Sequence, residues 1–417
     1  MAGQTRDIPV AFTNAIKSLK VIPGDNLKLL DTERLGTFNI VICGDSNDKV
    51  IISPADDRAI IQGDVNINGA NLRFEGIEFA YLGFTTRDSA YSDSHDMPIN
   101  YQPDIFGDNI ELYRCLIHDT PELGFWKTSK NSKLDECLFW YNGWREPGSA
   151  YGHAIYTQNN DGYKIIKNCI LFLNYGDGLK LGGTDNAGVC RNYLFENCIF
   201  FDNLVPSNIT PINGSIGGGI LPYENIILRG CEFYIRSSEF QPWGFSIGYT
   251  NGLDNFEITN CFFDAWLPIY IYPQVPYTNF TINNNLFYSS HTERGYHTTY
   301  PAADLLADPT NVWQEKPTSG KRIRLIICEA GVRGHLLIYN YDLDNTVDAD
   351  CSALLSEGDD YRLTNVQDLF VDIITGTAGV GGVVTVPMTG RSISSPVGDT
   401  APLSTFPEFG CFIIEKI

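Results

Sequence analysis

The chain has 417 residues, 43% hydrophobic and 12% aromatic, enough for a large core and inconsistent with a disordered polymer. A formal charge of -21 makes its surface strongly anionic, which repels nucleic-acid phosphates and anionic lipid, so neither is expected as a partner. No apolar run is long enough to span a bilayer, and the opening MAGQTRDIPVAFTNAIKSLK holds no apolar signal-peptide core, so the chain as it stands is expected to be soluble.

In chain order, the first expected element is an amphipathic helix in VAFTNAIKSLKVIPGD, with Phe12, Ala15, Ile16 and Leu19 at helical spacing and a stop at Pro23-Gly24. It would plug the open end of the first repeating coil, so residues 1–25 are assigned as an N-terminal cap. From residue 74 a motif recurs: a short strand, then Gly or Asn, then Cys, then apolar residues. It reads FEGIEF, YRCLIH, DECLFW, KNCILF, ENCIFF, RGCEFY, TNCFFD and NNNLFY. The alignment puts Ile77, Cys115, Cys137, Cys169, Cys198, Cys231, Cys261 and Asn285 in one column. The preceding column holds Gly76, Asn168, Asn197, Gly230, Asn260 and Asn284, interrupted by Arg114 and Glu136. Gly and Asn tolerate a left-handed backbone, so this column reads as a one-residue bend between two strands.

Spacings of 22 to 33 residues between successive column cysteines fit a fixed coil with a variable loop. That combination describes a right-handed parallel β-helix whose like residues stack about 4.8 Å apart. Stacked side chains point the same way and are poorly posed for disulfides, so the cysteines are expected as a buried, reduced ladder rather than a metal site. After about residue 288 the repeat stops. Alternating strands separated by turn residues then appear, HLLIYNYDL, VVTVPM and CFIIEKI among them, the pattern of a β-sandwich. The expected fold is therefore all-β, with a helix domain over 1–305 and a small sandwich over 306–417.

One strand of each coil can be followed through GFWKTS, GHAIYTQ, GDGLKLGG, WGFSIGYT and LPIYIYPQ. Alternation sends Ile155, Leu179, Leu181, Ile247, Ile269 and Ile271 inward and Tyr156, Gln158, Lys180, Tyr270 and Tyr272 outward. His153 and Asp177 share a register at the strand starts, and Trp126, Trp144, Arg145, Glu146 and Trp243 lie nearby in the chain. Several rings with a few ionisable groups on an elongated face suit a sugar polymer, because ring faces stack on sugars and hydroxyls take the polar groups. The plainer account is that exposed tyrosines follow β-propensity.

Two chemistries compete on that face. In β-elimination His153, Tyr156 or Lys180 would take the C5 proton of a uronide, while Arg145 or Lys180 neutralises its carboxylate. In hydrolysis two carboxyls must flank the bond, with Asp177 and Glu146 nearest and Asp119 and Asp161 behind them. Elimination is slightly favoured. Trp126, Trp144, Gln158, Trp243, Tyr270 and Tyr272 would then bind the polymer. Asp161 with Gly162 is also a plain turn pair, and DLDNTVDAD lacks the spacing of a calcium loop.

The segments IKSLKVIPGDNLKLL, VNINGANLRFEGIEF and YNGW followed by GHAIYTQNNDGYKIIKNCILFLNYGDGLKL resemble the pectate-lyase-like right-handed β-helix proteins. The stretch from VDADCSALLSEGDDYRLTNVQDLF to FPEFGCFII is similar to the β-sandwich often found behind such a helix. The resemblance implies a carbohydrate-active protein, lyase or glycosidase, that is secreted or displayed on a virion or cell surface. It implies no required cofactor, with calcium a permitted one. The group usually has Gly where this chain has Ala154, and its polygalacturonase-like Asp pairs and paired lyase Lys and Arg are absent, so scaffold is implied more strongly than reaction. A non-catalytic glycan-binding or structural rod is the alternative.

Overall fold

The computed structural model describes residues 4–8, 22–29, 33–56, 58–87, 96–146, 149–182, 190–217, 223–236, 241–248, 252–272, 277–291 and 308–417. The helix expected around Phe12 to Leu19 lies outside the described residues, and among those described there is no α-helix. The chain divides into two compact units, Met1–Glu315 and Lys316–Ile417.

The first unit is a parallel β-helix. Each repeating coil supplies three short strands to three ladders, and every pairing between coils is parallel. One ladder is an 11-stranded sheet ending at Tyr277–Asn283. The other two ladders form an 18-stranded sheet. One coil shows the plan: Lys164–Lys167, then Ile170–Phe172, then Leu179–Leu181, paired to Cys190–Glu196, Ile199–Phe201 and Gly214–Ile216 of the next.

Between the first and second strand of each coil the chain makes the one-residue bend expected from Gly and Asn. Gly76, Asn168, Asn197, Gly230, Asn260 and Asn284 all have φ between 52° and 64°. Arg114 and Glu136, which interrupt the column in sequence, adopt the same bend, each with φ 54°. The two carry an unfavourable backbone and compensate through each other, since Arg114 Nε donates to Glu136 Oε2 at 2.9 Å. The bend is thus set by the coil geometry, and residue type only makes it easier.

The next column is the cysteine ladder, reduced and buried. Five of its six thiols reach back one coil to a carbonyl: Cys115 to Phe74, Cys137 to Leu112, Cys198 to Ile166, Cys231 to Phe195 and Cys261 to Leu228, at 3.3 to 3.6 Å, while Cys169 donates to Lys167 O of its own coil at 3.3 Å. Asn285 makes the same reach with an amide, donating to Ile258 O at 2.9 Å, and Asn311 repeats it to Ile282 O at 2.7 Å. A second polar ladder stands at a fixed offset from the first, because Asn142, Asn174 and Asn203 each lie five residues after Cys137, Cys169 and Cys198, and Asn213 joins it from a separate loop. Asn142, Asn174, Asn203 and Asn213 are fully buried and linked amide to amide at 2.8 to 3.1 Å. Between the polar ladders run apolar stacks such as Phe200, Phe233, Phe263, Phe287 and Trp313, whose successive ring centroids lie 3.8 to 5.0 Å apart.

The parallel ladder runs on to Val312–Glu315, which pairs with Leu286–Ser289. The 305 boundary expected from sequence itself falls outside the described residues. The second unit holds a five-stranded antiparallel sheet, Lys321–Glu329, Arg333–Asn340, Phe409–Lys416, Asp360–Asn365 and Ile373–Thr377 in that order, and a two-stranded ladder of Thr346–Asp350 with Val383–Pro387. Both contribute to one core that includes Leu336, Val347, Leu363, Val386 and Phe412. No helix among the described residues is long and apolar enough to cross a membrane.

Candidate functional site

The third ladder carries the candidate site. Its inward residues Ile155, Leu179, Leu181, Ile247, Ile269 and Ile271 are all in the core, as alternation requires. Register then aligns Asn66, Asp104, Gly124, Tyr156, Lys180, Ser215, Ser246 and Tyr270, one per coil, on the opposite face. Neighbours in this row are about 4.8 Å apart. Tyr156 and Lys180 are thus adjacent, as the sequence implied. Asp104 and Ser215 are new, because the short strands Pro103–Ile105 and Gly214–Ile216 carry no aromatic or alternating pattern that would have aligned them.

Gly124 shapes one end of the row. A Cβ there would collide with Asp104 Oδ1 and with Trp126 Nε1. Without it, the Asp104 carboxylate lies over the neighbouring strand and accepts from Trp126 Nε1 at 2.6 Å and from Gln102 Nε2 at 3.1 Å. Burial still raises the Asp104 carboxyl above the usual range; these two hydrogen bonds oppose the rise and Asp64 adds to it. Glu122 stands two residues before Gly124, diagonal to Asp104. Burial and then the Asp104 charge push the Glu122 carboxyl up to about 8, against one hydrogen bond from the His153 backbone N–H. It is therefore a protonated acid at neutral pH.

At the centre, Tyr156 packs against Trp126, with centroids 5.7 Å apart, and against the His153 ring at 6.0 Å. Gln158 Nε2 donates to the Tyr156 hydroxyl at 3.2 Å, and burial raises that hydroxyl's pKa. Burial lowers His153 to about 4; Asp177 opposes this and Lys180 adds to it. His153 Nδ1 accepts from the Asp177 backbone N–H at 3.2 Å, which leaves the proton of the neutral ring on Nε2. Lys180 Nζ donates to Ser215 Oγ at 2.9 Å, and Ser215 Oγ donates to Asp177 Oδ2 at 2.6 Å. At the far end Trp243 stacks on Tyr270 at 4.6 Å and Tyr270 meets Tyr272 edge-on at 4.7 Å.

Arg145 and Glu146 are outside the register of this row. They lie on a hairpin of Trp144–Glu146 with Ser149–Tyr151, where Trp144 stacks on Tyr151 and donates to Glu146 Oε1 at 3.5 Å. The Arg145 backbone donates to Arg87 O, and its guanidinium lies 5.6 Å from the Tyr175 ring. Asp119 is tied into a buried ion cluster with Arg87 and His118. Asp161 pairs with Lys130 at 2.7 Å and accepts from Gly162 N, which is turn chemistry. Among the described residues no group of three or more His, Cys, Asp or Glu side chains converges as a metal-holding cluster.

No family model matches the chain, and no curated protein matches it. Among solved structures it is similar to an alginate lyase from Paenibacillus sp. str. FPU-7, at 13% identity and a TM-score of 0.43 over 69% of this chain and 96% of that one. It is similar to ORF18 of Geobacillus virus E2, at 15% identity and a TM-score of 0.40 over 96% and 76% of the two chains. A third is tailspike gp49 of Acinetobacter baumannii bacteriophage Fri1, a capsular polysaccharide depolymerase, at 10% identity and a TM-score of 0.30 over 99% and 83%.

Proposed function

We propose that the chain binds a polysaccharide across the outward row from Asp104 to Tyr270 and hydrolyses its glycosidic bonds, with Glu122 as the acid and Asp104 as the second carboxylate. The observation that carries this is the pair itself: two half-buried carboxyls on adjacent coils, Glu122 pushed up to about 8 and Asp104 held by the Trp126 indole. Hydrolysis needs one protonated and one ionised carboxyl flanking the bond, and burial of Glu122, helped by the Asp104 charge, favours that difference. Trp126, Tyr156, Trp243, Tyr270 and Tyr272 offer ring faces to sugars along the row. His153, Tyr156, Gln158, Lys180 and Asp177 contact the polymer at the centre, while Arg145, Glu146 and Trp144 on their hairpin form a rim.

The second reading is β-elimination of a uronide, favoured by one observation: Lys180 stands in register beside Tyr156, where it would neutralise a carboxylate next to a phenol able to carry a proton. A panel of neutral and acidic polysaccharides, read both for new reducing ends and for the ultraviolet absorbance of unsaturated products, separates the two. Reducing ends alone support hydrolysis, both signals support elimination, and silence in both with measurable binding supports a glycan-binding rod. Repeating the panel with a chelator reads whether calcium takes part. The same proposal includes a capping helix around Phe12 to Leu19, after the strand Thr5–Ile8 that pairs in parallel with Asn26–Leu29, a small β-sandwich behind the β-helix, and secretion or display on a virion or cell surface, where such polymers are met.

A further inference from the structure

Lys164 occupies a place that alternation reserves for an apolar residue. In Lys164–Lys167 it points inward with Ile166, and its neighbours in register, Ser132 and Tyr193, are also buried. It is fully buried itself, and its ammonium sits 3.8 Å from the centroid of the Phe125 ring. A lysine is almost never fully buried unless its charge is satisfied, so the site asks what satisfies it.

Three backbone carbonyls do. Nζ donates to Phe125 O at 2.6 Å, Trp126 O at 2.7 Å and Gln158 O at 2.8 Å, one acceptor for each of its three protons. Burial lowers the pKa of this amine well below the ordinary lysine range, with only Cys190 opposing it, so the ammonium rests on geometry: three acceptors take three protons, which only the charged form has. These carbonyls lie where the strands Leu123–Phe125 and Ile155–Thr157 of adjacent coils end and the chain leaves the sheet. Phe125 O also accepts from Thr157 Oγ1 at 3.0 Å and from Gln158 N at 3.2 Å, and Trp126 O from Ser129 N and Oγ at 3.0 and 2.7 Å. Carbonyl dipoles converging this way would repel one another without a cation between them. The lysine supplies that cation on a tether from the opposite sheet.

We infer that Lys164 is the positioning residue of the glycan platform. Two of the three carbonyls belong to Trp126 and Gln158, whose side chains face the row on the outer side. Trp126 holds Asp104, and Gln158 holds the Tyr156 hydroxyl at 3.2 Å. Fixing those two backbone positions across adjacent coils fixes the indole that holds the Asp104 carboxylate and packs against the Tyr156 ring, and the amide that holds the Tyr156 hydroxyl. This inference rests on the reading of the row as a glycan site for its consequence, but not for its geometry.

The test replaces the ammonium and keeps the stem. Lys164→Met is expected to speed amide exchange in the segments around Gly124–Lys127 and Gln158–Asn159, while segments around Phe256–Ile282 keep wild-type protection. On a polysaccharide that the wild type cleaves, KM is expected to rise and kcat to fall, lowering kcat/KM about tenfold or more, since the displaced platform both binds the polymer and holds Asp104 through Trp126. Lys164→Arg, which keeps the charge, is expected to recover part of the kcat/KM. Trp126→Ala should lower kcat/KM similarly, and Lys164→Met should add little in the Trp126→Ala background. Unchanged exchange in those two segments, or an unchanged kcat/KM, overturns the inference. If Lys164→Met does not fold, Lys164→Gln, which retains an amide donor, carries the same readouts. If the wild type cleaves no polysaccharide, the functional reading fails, and local exchange still decides whether Lys164 holds these strand ends.

Discussion

At the scale of single residues the site is an arrangement of displaced protonation equilibria. Glu122 keeps its proton up to about pH 8, so as the acid it is competent below that value and its contribution to rate falls as pH rises through it. Glu122→Gln is expected to lower kcat by about a hundredfold or more, the usual worth of a general acid, and to remove this alkaline limb. The same shift bears on stability. Between its ordinary 4.5 and about 8 the unfolded chain has released this proton and the folded chain has kept it, so stability declines as pH rises across that window. Glu122→Gln should therefore melt higher than wild type at pH 8 and equal to it near pH 4.5. His153 acts in the opposite direction. Its folded pKa is lowered from 6.5 to about 4, so in that interval only the unfolded chain takes up the proton, and stability falls as pH drops. His153→Gln is expected to flatten that acid limb in a series of thermal melts. Of these groups, Tyr156 and Lys180 were legible in the sequence because they stand in strands with clear alternation, and His153 and Asp177 because they share one offset just before those strands. Glu122 and Asp104 were not, since neither lies in a strand that alternation could align.

At the scale of the element, the coil is held by its bends and ladders. Asn197, with φ 53°, occupies a backbone region that costs a side-chain-bearing residue about 1 to 2 kcal/mol and glycine almost nothing. Asn197→Ala is expected to lose stability by about 1 kcal/mol in urea unfolding, and Asn197→Gly to stay within about 0.5 kcal/mol of wild type. An equal loss in both would mean that the side chain rather than the backbone matters at this bend. The bend column and the cysteine ladder were readable because each repeats one residue type. The asparagine ladder is written in the sequence only in part: Asn142, Asn174 and Asn203 each follow a column cysteine by five residues, whereas Asn213 comes from a separate loop that only the closed coil brings into line. Asn213 shows the consequence: NGS fits a glycosylation triplet, yet its amide is fully buried in that ladder.

At the scale of the whole molecule, a formal charge of -21 governs encounter. An anionic glycan is repelled at long range, and salt screens that repulsion over a Debye length of about 10 Å at 0.1 M. Raising salt from about 10 to about 150 mM is therefore expected to lower KM for an anionic polymer and leave KM for a neutral one unchanged. Weaker interaction with the anionic polymer at higher salt would instead mean that the local field of Lys180 outweighs the global one, which would favour elimination.

The sequence by itself determined the parallel β-helix, its bend and its thiol ladder, because these repeat in the chain with the period of the coil. It also determined which face of the third ladder is inward, because alternation is local. Only the tertiary structure decided which side chains meet on the outward face. Coils separated by loops of unequal length must close before Asp104, Gly124, Tyr156, Lys180 and Ser215 fall into one row. Only it separated Arg145 and Glu146 from that row, since a hairpin leaving the coil carries its residues away from the register of the next strand. And only it showed why a lysine stands among core residues at 164, since the three carbonyls that receive its protons come from two other strands.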